Sequence, residues 1–222
     1  MIIGYYDLIG FSSLYKGSAA TQTSDVDQGI ASERSASDPG HYEDYSLPMD
    51  TYSDNPIPDK SEAPAGDEHT SDCVADFMQT SFSSRDNFYG WSWSTDISPA
   101  FLKYVQYKNS SYIAESSTCY MSNNSLNWTV LKREIDNNRP MVFLVDSSGN
   151  GYTDHFVAVV GYREGTELEY GCLDTWSPAS TVRWCTFTGM SSGHNWGVWG
   201  GWSFSLTGKT KLMVPQNMLL LQ

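Results

Sequence analysis

The chain has 222 residues, enough for one domain with a substantial apolar core, and a net charge of −13 at pH 7. With 13 basic residues against 26 acidic ones, it lacks the basic surface that binds nucleic acids or anionic membranes. Aromatic residues make up 14% of the chain and charged residues only 18%. This balance is typical of exported bacterial proteins, so we expect a secreted protein in the extracellular space or the cell envelope.

The first predicted helix covers residues 1–15, where apolar side chains recur at helical spacing. The next stretch, residues 17–70, holds twelve acidic residues against two basic ones and has no periodicity. Such a stretch has too little apolar surface to form a core of its own. We therefore expect a single domain over residues 1–222 that carries a long acidic surface insertion at 17–70.

Three more helices are predicted further along the chain. Residues 70–82 follow a cluster of capping residues, which places Cys73 in the first helical turn. Residues 97–107 form the next helix, with Pro99 at its first helical position. Residues 127–138 carry an apolar stripe at helical spacing and form the last one.

Five short apolar runs in the second half of the chain predict β-strands. Their lengths and the turn residues that flank them favour strands over helices. The runs cover residues 141–145, 155–162, 170–176, 182–187 and 198–206. Because helices come early and strands late, the sequence predicts an α+β domain with N-terminal helices packed on an antiparallel sheet.

A cysteine, a histidine and an aspartate stand in positions that suit nucleophilic catalysis. His155 opens one predicted strand and Asp174 ends the next, so the two side chains can meet across the sheet. In that arrangement a carboxylate orients an imidazole, whose other nitrogen then acts as a base. Cys73 at a helix start suits a reactive thiolate. The alternative for His155 is a structural histidine at a strand edge.

The loop after the first predicted strand resembles the beginning of a calcium-binding loop. Its candidate ligands are Asp146, Ser148, Asn150 and Asp154. Position twelve, however, is Val157 instead of the glutamate that such loops require. We therefore predict a polar hairpin connection, with no metal and no cofactor.

Two further cysteines flank the turn between two predicted strands. Cys172 and Cys185 lie almost symmetrically about this turn. A cross-strand disulfide in an oxidising compartment and a pair of buried free thiols are both compatible with this spacing.

Three segments carry a resemblance to a known family. They are LKREIDNNRPMVFLVD, TDHFVAVVGY and YGCLDTWSP, between residues 131 and 178. Together they are similar to the C39-like, papain-like cysteine peptidases of bacteria. The resemblance implies a papain-like fold, peptide or protein substrates, His155 as the general base and Asp174 as its orienting residue.

The nucleophile departs from the family pattern. In this family the catalytic cysteine heads the first core helix, in a phrase like C-x-P-T-x-x-x-M-x-x-G-Y-x-D. The sequence MIIGYYD at residues 1–7 matches only the end of this phrase. We therefore expect the family's nucleophile to lie upstream of Met1 and this chain to be inactive, with Cys73 as the rival nucleophile. The alternative function is a papain-fold module that binds a peptide or partner without catalysis.

Overall fold

A computed structural model describes residues 1–14, 71, 73–80, 85, 87, 91–178, 181–191 and 193–208. The predicted insertion at 17–70 and most of the C-terminal tail lie outside these described residues. Among the helices of the described part, none is long and apolar enough to cross a membrane.

The described residues form four α-helices and six β-strands. The helices are α1 (Ile2–Leu8), α2 (Val74–Phe77), α3 (Ile97–Lys108) and α4 (Trp128–Asp136). The strands are β1 (Tyr112–Tyr120), β2 (Met141–Asp146), β3 (His155–Glu164), β4 (Leu168–Leu173), β5 (Arg183–Thr186) and β6 (Gly197–Gly208).

All six strands belong to one sheet, in the order β1-β6-β2-β3-β4-β5. Every neighbouring pair is antiparallel. The strands β2 to β5 follow one another in sequence as a meander, whereas β6 returns to lie between β1 and β2. The α+β prediction with an antiparallel sheet is therefore confirmed.

Each face of the sheet carries its own apolar core. On the face that we call upper, α4 packs with Leu131 on Met141 and Phe143 of β2, in a cluster that also holds Tyr170. On the lower face, α1 and α3 pack on the sheet. The lower cluster includes Tyr6, Phe101, Leu144, Trp202 and Phe204. Since the sheet is covered on both sides, its central strands are almost continuously apolar.

Local signals explain where the helices begin and where the predictions fail. Asn127 caps α4 by accepting a hydrogen bond from the backbone of Val130 at 3.1 Å, as its residue type favours. The cap of α3 is Asp96, so Pro99 lies two positions later than predicted. Of the predicted helix at 70–82, the described residues form the single turn α2, and Gln79 beyond it has a positive φ of 52°, which is incompatible with a continuing helix.

The edge strand β1 was not among the predicted elements. It pairs with β6 along nine residues, from Tyr112 opposite Gly208 to Tyr120 opposite Gly200. Its upper face carries the polar residues Glu115 and Ser117, which hide the alternation that identifies a half-buried strand.

Candidate active site

His155 opens β3 and contacts the main chain just after β4. Its Nε2 lies 2.7 Å from the carbonyl oxygen of Asp174. Because a carbonyl oxygen only accepts hydrogen bonds, Nε2 carries the proton in this contact, and Nδ1 of the neutral ring is an acceptor. The imidazole is half-buried. The geometry therefore presents a base of defined tautomer at the edge of the upper core.

Aromatic and cationic side chains close a ring of contacts around the imidazole. Trp176 stacks on His155 with ring centroids 4.0 Å apart and an interplanar angle of 18°. Trp176 also meets Trp196 edge-on at 5.6 Å. Arg183 lies over Trp196 at 4.5 Å and forms an ion pair with Asp174, which completes the ring. Because Trp176 stacks on the ring and its own surface is 61% exposed, it lies between one face of the imidazole and the solvent.

The Asp174 carboxylate builds the turn after β4 and does not touch the imidazole. It accepts hydrogen bonds from the backbone N–H of Trp176 at 3.2 Å, the backbone and hydroxyl of Ser177 at 2.8 and 3.0 Å, and Nε of Arg183 at 2.5 Å. Thr175, inside this turn, has a φ of 60°, which is uncommon for a β-branched residue. The predicted contact between this carboxylate and the imidazole is not formed, and the Asp174 carbonyl makes it instead.

The charge of Asp174 is fixed over the physiological range. The residue is only 1% exposed, and burial alone would raise its pKa. Hydrogen bonds from Ser177 and Arg183 outweigh the burial and hold the pKa of Asp174 down at about 2. The carboxylate is thus a permanent anion that anchors the turn whose carbonyl group orients the imidazole.

The loop that carries the calcium candidates is closed by its own hydrogen bonds. Buried Asp146 accepts from the backbone N–H groups of residues 149–151 at 2.6 to 3.1 Å. Asp154 accepts two bonds from Ser147, and Asn150 accepts one from the backbone of Tyr152. The candidate oxygen atoms of the loop therefore hold the polar hairpin together. Among the described residues, no three His, Cys, Asp or Glu side chains form a metal-binding group.

This loop also positions one member of the aromatic ring. Gly149 has a φ of 74°, and a Cβ there would lie 2.6 Å from the side-chain oxygen of Asn195. The Gly149 carbonyl accepts from Gly193, and the Asp146 carbonyl accepts from the backbone of Trp196 at 2.6 Å. Only glycine permits this close approach. These contacts join the loop after β2 to residues 193–196, just before β6, and so hold Trp196 beside the imidazole.

Cys73 is buried in another part of the molecule. It is 0% exposed and precedes α2, whose Phe77 contacts Tyr104 and Tyr107 of α3. Helix α3 packs on β1 and belongs to the lower cluster. Since β6 and β2 lie between β1 and β3, and the imidazole lies on the upper face, the structure does not bring Cys73 to His155. Its role as a nucleophile stays a prediction without geometric support.

The other three cysteines belong to the upper cluster. Cys119 donates to the carbonyl of Gly201 at 3.3 Å, and burial raises the pKa of Cys119 to about 11. Cys172 and Cys185 are both free, and their mutual hydrogen bond raises the pKa of Cys172. Of the two alternatives for this pair, the structure has the buried free thiols.

The start of α1 and the residue after His155 pack against the same apolar cluster. Ile2 and Ile3 contact the lower cluster, as does Phe156, the residue after His155. The imidazole itself lies with Trp196 at the upper cluster. The approach of residues 1–4 to His155 that the family pattern implies stays a prediction.

A helical layer on an antiparallel sheet, with a histidine oriented at a strand end, is consistent with a papain-like cysteine peptidase fold. A family model described as "Peptidase_C39 like family" matches residues 61–203, well over half of the chain. The chain therefore belongs to the Peptidase_C39 like family. Comparison with curated proteins and with solved structures found no match.

Family membership confirms the resemblance seen in the sequence and the papain-like fold that it implied. It supports placing the chain in the cysteine peptidase class of hydrolases, and it suggests peptides or proteins as substrates. The matched range includes Cys73, His155 and Asp174 but not α1.

Proposed function

We propose that the chain provides the base and its orienting groups for a cysteine-peptidase reaction, the hydrolysis of peptide bonds by acyl transfer. The observation that carries this proposal is the contact of 2.7 Å between His155 Nε2 and the Asp174 carbonyl, in a chain of this family. His155 is the general base, and Asp174 is a positioning residue that acts through its main chain.

The roles of these groups follow from proton transfer. A thiol at Nδ1 of His155 gives its proton to the ring, and the thiolate attacks the carbonyl carbon of the peptide. The imidazolium is stabilised by the Asp174 carbonyl and by the face of Trp176. It then protonates the leaving amine. Water, deprotonated by the neutral ring, attacks the thioester, and the ring returns this proton to the departing thiolate.

We further propose that this chain does not hydrolyse peptides with its own thiols. A nucleophile must lie within hydrogen-bond reach of its base. Cys73 caps α2 on the lower side, and the remaining three thiols are buried in the upper cluster. This arrangement supports the expected inactivity of the chain as it stands.

Peptide or partner binding without cleavage is the second candidate function. It is favoured by Trp176, which lies on the imidazole and still exposes 61% of its surface. An exposed indole beside a polar site suits the binding of a peptide side chain. The extracellular or cell-envelope location remains a proposal from composition.

A thiol-reactive peptidyl probe and a fluorogenic peptide library test the catalytic proposal. We expect no turnover and no labelling of the native chain, with labelling of Cys73 only after unfolding by urea. Native labelling or turnover that disappears in both Cys73→Ala and His155→Ala would overturn the assignment of the thiols. Peptide binding that quenches tryptophan fluorescence in the native chain, and is lost in Trp176→Ala, would favour the second candidate.

A further inference from the structure

A polar cavity of about 210 Å³ opens on the upper side of the sheet, away from His155. It lies against Arg139, just before β2 begins, whereas His155 pairs with Val145 near the end of β2. Arg139 and Val145 are six residues apart, which corresponds to roughly 20 Å of extended chain at about 3.3 Å per residue. Neither the proposed reaction nor the family assignment uses this cavity.

The floor of the cavity is formed by small polar residues of β1 and β6. Ser117 pairs with Ser203, and Glu115 pairs with Ser205, so these four side chains share the upper face. They continue the rows of Cys119, which belongs to the upper cluster, and of Gly201, which lies against Phe143 and Leu126 of that cluster. Because α4 covers β2 and β3, the short serine side chains leave an open volume beside it.

The wall on the α4 side is cationic. Glu134 is buried, with a side chain only 5% exposed, and each of its carboxylate oxygens meets one arginine. Arg133 donates to one oxygen at 2.8 and 2.9 Å, and Arg139 donates to the other at 2.7 Å. Both arginines line the cavity. Among the described residues, the terminal nitrogens of Arg139 make no hydrogen bond, so their donors are available to a ligand.

The opposite wall is anionic. Glu115 on the edge strand is exposed, and its carboxylate accepts from the hydroxyl of Ser205 at 3.3 Å, over the floor of the cavity. The formal charges of the four ionised side chains around the cavity, two arginines and two glutamates, sum to zero. The free hydrogen-bond donors, however, lie at Arg133 and Arg139, and the free acceptor lies at Glu115. A simple anion would satisfy the first wall and be repelled by the second.

We propose that this cavity binds a small zwitterion of the size of a free amino acid. Its carboxylate would bond to Arg139, and its ammonium group to Glu115 across the serine floor. Charge-assisted bonds to a guanidinium fork are the strong and geometrically specific ones in proteins. A volume of 210 Å³ corresponds to about seven water molecules at about 30 Å³ each, which is room for one such molecule.

Titration of the ¹⁵N-labelled chain with each of the twenty free L-amino acids tests the proposal by NMR. We expect at least one to give saturable shifts at Ser117, Ser203 and the Arg139 side chain. For that ligand, the N-acetyl derivative removes the ammonium group and the amide removes the carboxylate. Each derivative should bind about tenfold more weakly or worse, since one charge-assisted bond is lost.

Two matched variants assign the wall that holds the ammonium group. Glu115→Gln should weaken the binding of the free amino acid about tenfold and leave the affinity for the N-acetyl derivative unchanged. Glu167→Gln is the control, because Glu167 is an exposed carboxylate that bonds to Thr186 elsewhere. Both variants alter exposed residues and should fold. The proposal is overturned if no amino acid gives saturable shifts at the cavity, if the N-acetyl derivative binds as well as the free form, or if Glu115→Gln binds like the parent.

Discussion

Asp174 and Glu134 are both buried carboxylates bonded to arginine, but their remaining partners differ. Asp174 also accepts from the backbone of Trp176 and Ser177 in its own turn. Glu134 has its two oxygens bonded to the side chains of Arg133 and Arg139. The first carboxylate therefore stabilises the local backbone that orients His155, whereas the second gathers two cationic side chains at the wall of a cavity. Burial alone does not distinguish a structural acid from one that organises a ligand site.

Removing one arginine from each carboxylate should give the largest difference between the two regions. Arg139→Met leaves Glu134 with a single partner, Arg133, and we expect a loss of ~3 kcal/mol in the free energy of unfolding. Arg183→Met leaves Asp174 its hydrogen bonds from the turn, so a loss of about 1–2 kcal/mol is expected. Urea unfolding followed by tryptophan fluorescence measures both.

The control for these variants is Arg163→Met. Exposed Arg163 pairs with half-buried Glu169, and its removal should cost the least of the three variants, because an exposed ion pair is screened by water. A larger loss in Arg183→Met than in Arg139→Met would contradict the comparison, because the turn would then depend on the ion pair alone.

The dependence of stability on acidic pH tests whether the ionised Asp174 carboxylate stabilises its turn. Its pKa is about 2 in the fold and near 4 in an unfolded chain. A depressed pKa contributes stability that is fully present above pH 4 and is lost as the pH falls toward 2. Asp174→Asn should therefore be less stable than the parent at pH 6, and the two should converge near pH 2. Parallel curves over this window would show that Asp174 is not the titrating group.

The smallest effect is expected from Trp176. Since Trp176 is largely exposed, Trp176→Ala should change the free energy of unfolding by less than ~1 kcal/mol. It should, however, accelerate the modification of His155 by diethyl pyrocarbonate, because one face of the imidazole is uncovered. His194 is exposed and provides the internal control, and its rate should not change. Equal rates for His155 in both proteins would argue that the stacked indole gives no shielding.

The sequence predicts the strands of the site well because their signals are local. The apolar runs give β2, β3 and β5 to within two or three residues, and a helix stripe gives α4. These elements are enough to bring His155 and Asp174 together. Whether the carbonyl or the carboxylate of Asp174 contacts the imidazole depends on Arg183, which reaches Asp174 only through the pairing of β4 and β5. No local pattern contains that information.

Other parts of the structure escape prediction for the same reason. Trp176 and Trp196 lie 20 residues apart in sequence and meet through the docking of loops that a pattern does not show. The strand β1 has polar residues on its upper face because they line a cavity instead of a core. In both cases the missing information is tertiary.

The place of β6 in the sheet has a consequence for the order in which the protein folds. The strands β2 to β5 are joined by short connections and can pair as soon as they leave the ribosome. Among the described strands, β1 has no partner until β6 has been synthesised, and β6 begins 77 residues after β1 ends, from Tyr120 to Gly197. Until then β1 and the outer side of β2 present unpaired backbone to other chains. We therefore expect the meander around His155 to assemble first. The insertion of β6 should be the slow step, and once complete it covers the unpaired edges of β1 and β2 and so protects the nascent chain from aggregation.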